Sequence, residues 1–559
     1  MQFNDITAQR PTREGLAAQY TELAAQLDRG AVSQAVSRWE DIRRETDTWF
    51  SLANLRFSQN TANAQYKADR DYADQIGPLV TDHETQIKRR LLSIPQDQMG
   101  PILPSHVLAL WRVDIASFDP AIASDLEAES RLEARYTELL AGAKIPFDGR
   151  ELNIAGVQPY LQSLNRATRH DAARALWAFF QANCEQLDDL YDQLVKLRTK
   201  MGRTLGDAVF TPLGYRRMRR LDYGEAQVAA YRLEVLTHVT PLVSRIMRQR
   251  QRDNQLDALY AWDEPMIDPA GNPVPAGDQH FLTSAARNMF ESIHPELAGL
   301  YRTMLDGGFM DLDNRAAKAG GGFCTSFPKA GMPFIFANFN GTHHDIDVFT
   351  HEMGHAFQNY KSRVQPILDY FWPTMDAAEI HSMSLEFLAY PHIGHLMGGA
   401  ADRYRRMHLI GALEFLPYGV CVDHFQHEIY ARPEMSPAER NEIWRRLESL
   451  YMPWRQWGDL TYPASGARWQ AQSHIYRSPF YYIDYTLAQC VALQFWRLSN
   501  ADYSSVMERY TELCSRGGSG PFTDLLSSAG LASPFFSGVL EEIVREAEKF
   551  LGIDNSDHP

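Results

Sequence analysis

The run Val348-Phe349-Thr350-His351-Glu352-Met353-Gly354-His355-Ala356-Phe357-Gln358 constrains this chain more than any other. Two histidines four positions apart share one face of an α-helix, with Cβ atoms about 5 to 6 Å apart, so both imidazoles can hold one metal ion. Glu352, between them, can reach a water activated by that metal. Zinc suits such a site, because it lowers the pKa of its water to about 7 and polarises a carbonyl while the glutamate takes the proton. The implied chemistry is hydrolysis of an amide.

Five letters with two free positions arise by accident, so the motif needs a helix to stand on. Ile346, Phe349, Met353, Ala356, Phe357 and Tyr360 recur at three-and-four spacing, and no proline falls between Asp345 and Arg363. The helix is therefore expected. A catalytic zinc takes three protein ligands, and two histidines leave it one short. The HExxHxxGxxH solution is excluded by Gln358 and Lys361, which stand where a glycine and a third histidine are required. A glutamate on a second helix is the other solution. Asp376 to Leu388 has helical periodicity after Pro373-Thr374, and Glu379 and Glu386 share a face two turns apart. One can bind the metal while the other hydrogen-bonds a ligating imidazole; the alternative is two solvated carboxylates.

These blocks resemble the thimet oligopeptidase and oligoendopeptidase F family of zinc metallopeptidases. Besides His351-Glu352-Met353-Gly354-His355 and Glu379-Ile380-His381-Ser382-Met383 with Glu386, the resemblance rests on two further segments. Upstream are Gly320-Gly321-Gly322-Phe323-Cys324 and Pro333 to Thr342; downstream is His474-Ile475-Tyr476-Arg477-Ser478-Pro479-Phe480-Tyr481-Tyr482-Ile483-Asp484-Tyr485. All stand in the family's order between about residues 310 and 490. The resemblance implies one Zn2+ per chain on His351, His355 and Glu379, with Glu352 as general base and Glu386 behind a ligand. It places His474 beside the substrate and Tyr482 and Tyr485 at the oxyanion, although three tyrosines, at 481, 482 and 485, compete for that role. It further implies a mainly α, two-lobed fold enclosing a channel, and short unfolded oligopeptides as substrates of an endopeptidase.

The segment Pro333 to Phe339 reads as a strand at a sheet edge beside the zinc helices, where an extended peptide can pair through its main chain. Gly321, Gly322, Phe336, Ala337 and Tyr481 are the expected substrate contacts. An internal strand is the alternative. At 559 residues the chain exceeds one ordinary core, and the division expected is a helical lobe over residues 1–195 and a catalytic lobe over 196–559. Residues 15–95 and 105–250 carry helical patterns, with breaks near Ile94-Pro95, Gly100-Pro101 and Ile145-Pro146 and a Pro and Gly rich loop from Asp263 to Gly277.

A net charge of −15 with interspersed basic residues leaves no nucleic-acid footprint, and no apolar run approaches the length of a membrane span. Met1 to Asp5 has no signal-peptide character, so a cytoplasmic protein is expected, with its oligomeric state open. Five cysteines, at 184, 324, 421, 490 and 514, suit free thiols, and Cys324 would be open to alkylation if it lined a substrate groove. His343, His344 and Asp345 read as a loop with a helix-starting Asp, His424 and His427 as helix packing, and Arg516 to Pro521 as a turn. Two rival functions stand: a zinc carboxypeptidase or dipeptidyl carboxypeptidase, for which no carboxylate-holding cation is evident, and a non-catalytic peptide-binding scaffold.

Overall fold

The computed structural model describes residues 1–100, 102–315 and 317–553, apart from the side chains of Gln96 and Asp97. Helices dominate, and the sheets among the described residues are one hairpin, Ile145–Phe147 with Arg150–Leu152, and one three-stranded sheet. Pro101 of the expected Gly100-Pro101 break lies outside the described residues. The helix Cys184–Thr204 runs through residue 195, and its Leu187, Leu190, Leu194 and Val195 enter the same core as the motif-bearing helices. Apolar spacing continues across that point, so burial continues too. A separate cluster joins the N-terminal helices, Leu16 to Trp111, to Ile367 and Tyr370 of the catalytic region.

The motif lies on the helix His344–Ser362, with Asp345 and Asp347 in its first turn and Lys361 in its last, the charge order the helix dipole favours. Asp345 caps the approach rather than the helix, accepting from the Asn340 and Gly341 amides at 2.8 and 2.7 Å. Phe349, Met353 and Phe357 are all buried, each contributing roughly 1.5 to 3 kcal/mol by leaving water. The second carboxylate helix runs Met375–Leu388, starting where Pro373-Thr374 predicts. It packs between His344–Ser362 and Tyr482–Ser499, and the long helix Ala401–Ala431 packs on Tyr482–Ser499 in turn.

Gly354 fixes the first of these approaches. A Cβ there would sit 2.4 Å from the His381 carbonyl oxygen and 2.6 Å from Ser382 Cα, so the two helices touch backbone to backbone. No other residue type permits that spacing.

The sheet corrects one expectation. Met332–Phe339 is the central strand, parallel to Met310–Asp313 on one side and antiparallel to Phe323–Phe327 on the other. Its residues Phe334 to Ala337 are at most 1% exposed, and alternation in sequence does not distinguish a central strand from an edge. Phe336 and Ala337 consequently face the interior. The strand beside the metal helix with only one paired neighbour is Phe323–Phe327.

Candidate metal centre and its surroundings

Two helical turns and one crossing helix bring three donors together. His351 Nε2 and His355 Nε2 each lie 3.3 Å from Glu379 Oε2, and the donor atoms of the three residues all fall within 4.8 Å of one another. Their rings stand nearly perpendicular, 83° apart at 5.0 Å. Among the described residues this is the one cluster of its kind. Two imidazoles and one carboxylate are a donor set that zinc accepts.

Glu386, two turns beyond Glu379, accepts from His351 Nδ1 at 2.7 Å, which leaves His351 Nε2 as the metal-facing nitrogen. Burial opposes ionisation of Glu386, but hydrogen bonds from His351 and His408 outweigh it and hold the carboxyl below its ordinary range. Glu352 is 6% exposed and its Oε2 has no hydrogen-bond partner within the protein. Burial pushes its carboxyl above the usual range, opposed by His351 and His355, a setting that makes a carboxylate a stronger base. Its orphaned oxygen fits a role toward a metal-held water.

Gly322 borders this base: a Cβ there would lie 2.9 Å from Val348 and 3.6 Å from Glu352 Oε1. Gly320, Gly321 and Gly322 are exposed, and Gly321 adopts φ +89°, so this approach to the edge strand is bare backbone. Asn338 fastens it, donating to the Ala319 and Gly321 carbonyls at 2.9 Å. Lys318 does the same from below, its Nζ reaching the Ala337 carbonyl at 2.5 Å and Asp311 at 2.9 Å. Cys324 lies next along the edge strand, where burial and the charge of Glu352 keep it a protonated, weakly reactive thiol.

The far wall sorts the three tyrosines. Tyr481 donates to Glu379 Oε1 at 2.5 Å, and its ring lies 4.8 Å from that of Tyr485. The Tyr485 phenol is held above its ordinary pKa by burial and by the charge of Glu379. Tyr482 instead sets its ring edge-on to Phe415 and Tyr418, at 5.7 and 5.8 Å. The same ring also meets His474 at 5.0 Å and Tyr485 at 5.7 Å. His474 packs 5.8 Å from Tyr481 and 5.6 Å from Tyr485, with Gln472 on its Nδ1 at 2.8 Å. Burial, reinforced by Arg477, lowers its pKa to about 4, so it is a neutral imidazole near pH 7.

Phe480 sets this wall. It holds φ +66°, a left-handed conformation costing about 1 to 2 kcal/mol for an ordinary residue. Gln426 accepts from its amide at 2.9 Å, Arg220 donates to its carbonyl at 2.5 Å, and its ring fills the space over Gly214. Tyr481 follows immediately, so the strained turn aims the phenol at Glu379.

His424 and His427 stay away from the donors, bonded to the Tyr451 and Tyr215 hydroxyls as helix-packing groups. The Arg516 to Pro521 stretch is a turn, with Gly517 at φ +50° against the Tyr370 carbonyl. Two neighbours of the site were not foreseen. Trp372 lies against His355 at 5.5 Å, and His408 bonds Glu386 at 2.7 Å; both are isolated in sequence and carry no motif.

The model of peptidase family M3 matches residues 299–545, and that of the peptidase M3 N-terminal domain matches residues 3–118. A solved structure assigned to oligoendopeptidase F is 41% identical, with 99% of each chain covered and a TM-score of 0.96. The chain belongs to peptidase family M3. PZ peptidase A, solved with an inhibitor, is 38% identical over 99% of this chain and 100% of its own, with a TM-score of 0.96. A Bacillus anthracis chain assigned to oligoendopeptidase F is 38% identical over 99% of both chains, with a TM-score of 0.91. A comparison with curated proteins finds no match. As an M3 peptidase, the chain is a mainly α metalloendopeptidase acting on peptides. No helix among its described residues is long and apolar enough to cross a membrane.

Proposed function

We propose that this M3 peptidase is a zinc-dependent endopeptidase that cuts internal bonds of short, unfolded oligopeptides. The observation that carries the reading is the convergence of His351, His355 and Glu379 beside a buried Glu352 with one oxygen unpartnered. Zinc at those donors supplies a Lewis acid for the scissile carbonyl and an activated water. Glu352 accepts the proton of the attacking water and delivers it to the leaving nitrogen. The edge strand from Gly321 and Gly322 through Phe327 pairs with the substrate backbone, a mode that binds many sequences with little selectivity. Tyr485 and Tyr481 stand on the opposite wall, where a phenol can donate to the developing oxyanion, with His474 beside them. The oligoendopeptidase F relatives support the preference for short peptides.

Purified protein incubated with end-blocked peptides of graded length, alongside a folded protein, tests the reading. Internal cleavage of short blocked peptides is expected, with the folded protein left intact. Release from free C-termini only would favour the carboxypeptidase alternative, and digestion of the folded protein would contradict the size limit.

The tyrosines separate by kinetics. Tyr485→Phe is expected to lower kcat about 10²- to 10³-fold with little change in KM, as loss of one oxyanion donor does. Tyr482→Phe, which leaves the Phe415 and Tyr418 packing in place, changes kcat by less than about threefold. Equal losses in both variants would remove Tyr485 from the role.

A further inference from the structure

Behind the donor cluster lies a further imidazole that no motif marks. His408, on the helix Ala401–Ala431, presents Nε2 to Glu386 Oε2 at 2.7 Å, while Glu386 Oε1 takes His351 Nδ1 at the same distance. One carboxylate thus bridges two imidazoles. We propose that His408 is a positioning residue for the metal centre, locking Glu386 so that His351 keeps its Nε2 lone pair on the zinc. The inference rests on the zinc reading given above.

The geometry favours this over simple packing. A glutamate held by one hydrogen bond can still rotate about its side-chain bonds, and a second bond to its other oxygen removes that freedom. His408 is itself fixed at both nitrogens, because its Nδ1 meets the Tyr390 hydroxyl at 2.8 Å. Its ring is stacked on Tyr404 at 25° and 5.7 Å, and Phe387 meets it edge-on at 5.0 Å. Tyr404 in turn donates to Asp347 Oδ1 at 2.5 Å, one turn before His351 on the metal helix. The brace therefore joins three helices: the two that supply the donors and the long helix behind them.

The other histidine ligand lacks such support. His355 Nδ1 is buried and has no hydrogen-bond partner within the protein, and its ring rests against Trp372. Glu379 is held by Tyr481 and Ser382, so among the two imidazoles the hydrogen-bonded support is the arm that ends in His408. Partners of this kind typically change metal affinity by about 10- to 100-fold when removed.

Two amide substitutions separate positioning from bulk. Gln at 408 can place a donor where Nε2 now meets Glu386; Asn can replace only the nearer Nδ1. Zinc affinity of metal-stripped protein is read by competition with a chromophoric chelator, and folding by thermal denaturation of the same metal-stripped samples. Expected are zinc affinity within about threefold of wild type for His408→Gln, and a loss of about tenfold for His408→Asn, at similar melting temperatures. Adding His408→Asn to Glu386→Gln should weaken zinc no further than Glu386→Gln alone, since His408 acts through that carboxylate. Equal affinities for the Gln and Asn variants, or additive losses in the double variant, would overturn the assignment. Wild-type protein that takes up no zinc would overturn the metal reading and this inference with it.

Discussion

Glu352→Gln leaves zinc content at one ion per chain and lowers kcat for a short peptide by about 10²- to 10⁴-fold, the contribution expected of a positioned general base. The amide keeps the shape of the side chain but cannot take a proton, and residue 352 is not one of the three converging donors. Stability supplies an internal control. Glu352 is buried with one oxygen unpartnered, so replacing a costly buried carboxylate by a neutral amide should not lower the melting temperature of the metal-free protein. Metal analysis, single-turnover hydrolysis and thermal denaturation together check the expectation. A variant retaining more than about a tenth of wild-type kcat removes Glu352 from the role of base.

Gly354→Ala tests the spacing of the metal helices. Helix propensity alone predicts stabilisation by about 1 kcal/mol, since glycine is poor inside a helix. The tertiary contact predicts the opposite. The added methyl meets the His381 carbonyl at 2.4 Å and Ser382 Cα at 2.6 Å, and both are backbone atoms of a helix that cannot swing aside. Overpacking of this kind costs about 1 to 3 kcal/mol, and the strain it puts on Met375–Leu388 falls on the helix that carries Glu379. The variant should therefore melt earlier and bind zinc more weakly. Gly411→Ala is the matched control: it also lies within a helix, has no atom near its would-be Cβ, and should be neutral or stabilising. Equal behaviour of the two variants would show that the close approach at Gly354 carries no energy.

Much of the site was legible because its signals are local. The four-residue spacing of His351 and His355 is a property of one helix, and Glu379 and Glu386 share a face of another. The resemblance to a family added the order of the blocks, from Gly321 and Gly322 through Tyr485. The tyrosines show where local reading stops. Tyr481, Tyr482 and Tyr485 are nearly adjacent, yet among the described residues Tyr481 is the one that hydrogen-bonds Glu379, next to a Phe480 held left-handed by Gln426 and Arg220 from distant segments. The strand Met332–Phe339 shows the same limit: its alternation identified a strand, while its central place was set by Met310–Asp313 pairing on its other side.

By itself the sequence determined that His351, Glu352 and His355 share one helix, that a glutamate further along is the candidate third donor, and which family the chain resembles. Helical period, side-chain chemistry and excluded residues such as Gln358 and Lys361 decide those points within a few turns of chain. Tertiary structure alone decided which strand beside the motif helix lies at the sheet edge, that Tyr481 bonds Glu379, that His408 stands behind His351 through Glu386, and that Trp372 rests on His355. Those facts depend on contacts between segments remote in sequence, made at backbone distance where Gly354 allows it, and no local pattern encodes them.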